Sequence, residues 1–178
     1  SKVEKLEEEI ARLVERSRRL VEELKKEVTK VKEKVDEIVE RSRRHVKKVV
    51  EKLRDIKRRG GSEEVLRRVT EELKKVLEDN RRVIEEVLRD LERILEELKR
   101  KAEEVTKRNR DDLKRLRDRD HMVLHEYVNA AGITRSEKEL RTVLRDVTED
   151  IKRIAEELKK ALEDSTEIIR RAEDELRT

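Results

Sequence analysis

The chain has 178 residues, of which 54% are charged and 33% hydrophobic, with no Pro, Cys, Trp or Phe, three Gly and one aromatic residue, Tyr127. This composition excludes disulfides, thiol nucleophiles and cysteine-ligated metal sites, and no run approaches the roughly 18 apolar residues of a membrane span. Lys plus Arg number 50 against 46 for Asp plus Glu, so the formal charge of +4 is a small difference between interspersed populations and gives little support to nucleic-acid binding.

The first element is long and amphipathic. Apolar residues recur, mostly in steps of three or four, from Val3 through Leu6, Ile10, Leu13, Leu20, Leu24, Val28, Val31, Val35, Ile38, Val46, Val49 and Leu53 to Ile56, which predicts a helix over about 2–59. Val14, Val21, Val39 and Val50 widen the stripe beyond a two-position seam, as suits a helix with two or more neighbours. Gly60 and Gly61 supply a helix stop, and Ser62 followed by Glu63 and Glu64 supplies a start. A second periodic run, from Leu66 to Leu116, predicts a helix over about 62–118. The third pattern is clear from Leu140 to Leu176; equal lengths place this helix at about 120–178, with Asp118 and Asp120 as candidate caps.

Short connections make consecutive helices antiparallel. The expected fold class is all-α: one elongated up-down-up three-helix bundle domain spanning residues 1–178, about 85 Å long at ~1.5 Å per residue. The breadth of the stripes leaves both a monomer and self-association into a larger homo-oligomeric bundle open.

Ser17, Ser42, His45, Asn80, Asn109 and Ser165 stand where the period calls for apolar side chains. Buried polar groups without partners are costly. The six therefore either lie at stripe edges in water or form hydrogen-bond networks that fix register. No Ser-His-acid set, cofactor loop or paired-acid cleft accompanies them, so neither an enzyme nor a cofactor is expected. His121 and His125 are one helical turn apart, but two ligands without a third make a poor metal site. Residues 41–59 hold ten Lys or Arg against Glu51 and Asp55. The run sits at a helix carboxyl end, where cations match the exposed carbonyls; with no aromatic platform beside it, a solvated face is expected and nucleic acid is not.

Residues 119–134 read RDHMVLHEYVNAAGIT and contain the sole Met, the sole Tyr, two of the three His and an isolated Gly. Both a helical and an alternating pattern can be drawn through them. Gly132 weakens the helix locally, and the spacings Thr134 to Glu137 and Ser136 to Glu139 are capping boxes that restart one. Helix three is thus expected to be irregular near Gly132.

This stretch resembles the last strand of the green fluorescent protein barrel, in the engineered form that serves as the small fragment of split fluorescent protein. The similarity covers sixteen residues: Arg119, Asp120, His121, Met122, Val123, Leu124, His125, Glu126, Tyr127, Val128, Asn129, Ala130, Ala131, Gly132, Ile133 and Thr134. In that family the strand completes an eleven-stranded barrel around an internal chromophore, and the resemblance places Glu126 at the inward-facing glutamate. The chain has neither the chromophore tripeptide nor the other strands, so it is not expected to fluoresce alone. The Pro-free flanks, dominated by Glu, Lys, Arg, Leu and Val, resemble de novo designed helical bundles, a class that includes caged-peptide switches.

Together the two resemblances imply a strand peptide grafted into a designed, non-catalytic scaffold or cage, made by recombinant cytoplasmic expression and without a natural location. The implied partner is a truncated barrel of strands one to ten. The alternative is a static bundle carrying the fragment as a passive tag.

Overall fold

The computed structural model describes residues 2–119 and 132–177, all in helices except for one tight connection and the residue that precedes the last helix. Helix α1 spans Lys2–Arg58, α2 spans Glu63–Arg119 and α3 spans Ile133–Arg177. Asp120–Ala131, the middle of the sixteen-residue match, lie outside the described residues, as does the first part of the expected third helix.

The α1–α2 connection is set by local chemistry. Gly60 has a φ of +71°, its N–H donates to the Lys57 carbonyl at 3.2 Å, and the Gly61 N–H donates to the Ile56 carbonyl at 2.9 Å. This pair of bonds, reaching back three and five residues, is the Schellman closure of a helix carboxyl end. A Cβ at position 61 would lie 2.5 Å from Ile56 Cγ2, so both glycines are required, one by backbone conformation and the other by close approach. Ser62 Oγ then accepts the Val65 N–H at 3.3 Å, and Glu63 and Glu64 occupy the first turn of α2, where the helix dipole favours acids.

The start of α3 differs from the capping-box expectation. Gly132 has a φ of +76° and its carbonyl accepts the Ser136 N–H at 2.9 Å, so the glycine itself stands at the cap position. Thr134 is already helical, and the Ser136 hydroxyl donates to the Ile133 carbonyl at 2.8 Å. Neither side chain caps the amino end.

Contacts divide the chain into two compact units, each containing parts of all three helices: Ser1–Lys30 with Arg93–Ile151, and Val31–Glu92 with Lys152–Thr178. The first unit packs Leu6, Ile10, Leu13 and Val14 of α1 against Leu116 of α2 and Ile133 of α3. In the second, Val46, Val49, Val50 and Leu53 of α1 meet Val69, Leu73 and Val76 of α2 and Ile169 and Ala172 of α3. The early part of α1 thus meets the late part of α2 and the start of α3. Its late part meets the early part of α2 and the end of α3. This is an up-down-up three-helix bundle. Of the four extra stripe residues Val14, Val21 and Val50 are buried, because α1 packs on two helices at once, and Val39 is half-buried. Val3 and Ile168 of the periodic pattern are instead exposed, at 40% and 46%.

Candidate functional site

In the first unit, two of the polar stripe residues meet. Ser17 and Asn109 are 1% and 2% exposed. The Asn109 amide nitrogen donates to Ser17 Oγ at 3.0 Å and to the Leu13 carbonyl at 3.3 Å, while its oxygen accepts from Arg16 Nη1 at 3.0 Å. The same Arg16 nitrogen donates to Asp112 Oδ2 at 2.8 Å, and Arg115 pairs with the other Asp112 oxygen. Donors and acceptors of the buried amide are therefore matched across α1 and α2, and its charge-bearing partners lie at the rim, with Arg16 and Asp112 side chains 26% and 18% exposed. Such an arrangement holds one register of α1 on α2 and penalises others, since a slip would bury the amide unpaired.

Arg16 and Asp112 were not among the six stripe residues. The available signal was their placement: Arg16 directly precedes Ser17, and Asp112 lies three residues after Asn109, one turn along the same face.

The hydrogen bond from Arg16 holds the Asp112 carboxyl below its ordinary value of 3.8, with the charge of Arg115 acting in the same direction and partial burial opposing. A carboxylate whose folded-state pKa is depressed contributes stability that is complete above its unfolded value and is lost as pH falls through the folded one. Asp112→Asn is expected to reduce stability by about 1 kcal/mol at neutral pH. That gap from the parent closes as pH is taken below 3.8. Urea midpoints of both proteins across this range check it; a gap independent of pH would show that the charge of Asp112 contributes nothing.

The other four stripe residues belong to the second unit and make no comparable set. Ser165 is buried at 4% exposure, Ser42 and Asn80 are half-buried, and His45 is exposed. His45, a candidate member of a buried network, is thus at the stripe edge in water. Val46 takes the core position, and one residue along a helix turns the side chain by about 100°. Lys52 faces Glu72 between α1 and α2 at 3.4 Å, a register that brings Ser42 and Asn80 to nearly the same level. No hydrogen bond joins them, and Asn80 Nδ2 is buried without a partner among the described residues.

Among the described residues no group of three or more His, Asp or Glu could hold a metal, and no helix is long and apolar enough to cross a membrane. His121 and His125 fall outside the described residues. A cavity of about 420 Å³ beside the Asn109 network is lined by Glu9, Arg12, Leu13, Arg16, Asp112, Arg115, Leu116 and Arg119, of which Arg16, Arg115 and Arg119 pair with Asp112 and Glu9. In the basic run, Arg41, Lys52, Arg54 and Arg58 are ion-paired with Glu37, Glu72, Glu175 and Asp55.

Both ends of the sixteen-residue match are described. Arg119 is the last residue of α2 and hydrogen-bonds both carboxylate oxygens of Glu9 on α1, at 2.6 and 3.4 Å. At the other end Ile133, 3% exposed, is the first residue of α3 and belongs to the core of the first unit, and Thr134 is exposed.

No protein-family profile and no curated protein matches the sequence. Among solved structures the chain is similar to a computationally designed three-helix bundle, at 19% identity over 96% of this chain and 81% of that one, with a TM-score of 0.40.

Proposed function

We propose that this protein is a designed, non-catalytic helical scaffold that presents residues 119–134 as the small fragment of split green fluorescent protein. The observation that carries the reading is the sixteen-residue match RDHMVLHEYVNAAGIT, set in a chain whose remaining composition is unlike it. Arg119 on α2 and Ile133 on α3 tie both ends of the fragment to the bundle. Recognition is by strand addition: an open barrel lacking its last strand offers unpaired backbone groups at two edges, and the fragment fills them with a ladder of hydrogen bonds while alternate side chains enter the barrel.

The helical set is then the carrier and the truncated barrel is the partner. The alternative to a cage is a static bundle that carries the fragment as a passive tag.

Mixing the protein with truncated barrel is expected to produce fluorescence, and a chain with residues 119–134 replaced by a Gly/Ser linker is expected to produce none. Free peptide of the same sixteen residues is the positive control. If that peptide complements the barrel and the whole chain does not, the reading fails. Amide exchange over Val123–Ala131 in the unmixed protein separates the two forms: slow exchange belongs to a cage and fast exchange to a tag.

A further inference from the structure

The carboxyl end of the match is also the beginning of a helix, and the two roles exclude each other. Ile133 is 3% exposed and shares a core with Leu6, Ile10, Leu13 and Val14 of α1 and Leu116 of α2. Its carbonyl accepts the Ser136 hydroxyl at 2.8 Å, and the Gly132 carbonyl accepts the Ser136 N–H at 2.9 Å. A strand rises about 3.3 Å per residue and a helix about 1.5 Å. Ile133 and Thr134 cannot take up strand geometry while those bonds stand.

We infer that Ile133 is a latch: capture of the complete fragment by a truncated barrel requires withdrawal of Ile133 from the core of the first unit and unwinding of the first turn of α3. The inference rests on the complementation reading and assigns it a regulating residue. The amino end of the match is held by a different kind of contact. Arg119 holds Glu9 through a pair whose side chains are 54% and 34% exposed, and solvent screens such pairs to little net worth. Ile133 sits among apolar side chains that would face a void on its departure. Residues of this core that lie outside the match therefore set how readily the fragment is released. Ile10, 0% exposed, is the clearest of them, because its truncation loosens the latch without altering any residue that enters the barrel.

Four samples test this against the same truncated barrel: the parent chain, Ile10→Ala, Leu73→Ala as a core truncation of the second unit, and free peptide 119–134. Ile10→Ala is expected to complement faster than the parent by on the order of tenfold, approaching the free peptide, while Leu73→Ala stays near the parent. Amide exchange of residues 135–139 in the parent is expected to speed up on complex formation, a readout that needs no variant to fold. The latch is overturned if Ile10→Ala is no faster than Leu73→Ala, or if those amides stay protected in the fluorescent complex. Absence of fluorescence from all three chains, with the free peptide active, would overturn the complementation reading itself.

Discussion

Asn109→Ala is expected to lower stability by about 2–3 kcal/mol, whereas the double substitution Asn109→Leu with Ser17→Ala is expected to stay within about 1 kcal/mol of the parent. The single change deletes the partner of Ser17 Oγ, at 3.0 Å, and one of the two acceptors of Arg16 Nη1. Ser17 is 1% exposed, so its hydroxyl has no water to turn to. The orphaned group, not the lost hydrogen bond, dominates the penalty. In the double variant both buried polar groups leave together and leucine fills the space of the amide. Arg16 retains Asp112 at 2.8 Å and is open to solvent, so its loss is small. Denaturant midpoints of the parent, Asn109→Leu, Ser17→Ala and the double variant form a cycle whose coupling term should be favourable to the native pair by about 1–2 kcal/mol. Additive effects would show that Ser17 and Asn109 act independently, and the register argument would lose its basis.

How much of this was legible in the sequence depends on whether a residue's role was local. The Gly60–Gly61–Ser62 connection was, because one positive φ, one close approach to Ile56 and one hydroxyl cap decide it. The apolar steps of three and four gave the helices for the same reason, and the extra valines at 14, 21 and 50 gave the two-sided packing of α1. Pairing across helices was less visible. Ser17 and Asn109 stood out as polar residues in an apolar stripe, whereas Arg16 and Asp112 were marked only by their places beside Ser17 and one turn after Asn109. His45 shows the opposite limit: on a stripe this wide, an error of one position in phase moves a side chain from core to water, and Val46 holds the core place. The start of α3 was obscured by the match itself, whose residues serve strand and helix about equally until Gly132 sets the break and Ile133 enters the core.

Leu73→Ala is expected to reduce stability by about 2–5 kcal/mol, in the upper part of that range. Leu73 is 0% exposed and is packed in a cluster built from Val, Leu, Ile and Ala alone. Beta-branched side chains on helices have few alternative rotamers, and α1 and α2, joined by the tight Gly60 closure, resist inward movement. The vacated volume therefore persists as a cavity, and the loss exceeds the transfer free energy of the missing methyl groups. Val83→Ala, at a side chain 44% exposed, is expected to change stability by less than about 0.5 kcal/mol and serves as the comparison. Denaturant unfolding of both variants measures these losses. A loss from Leu73→Ala near that of Val83→Ala would mean that the second unit collapses around the deletion, so its core would be plastic rather than close-packed. The Leu73 cluster contains none of residues 119–134. A protein weakened there but unchanged in complementation rate would establish that release of the fragment follows the local packing of Ile133 and not the total stability of the chain.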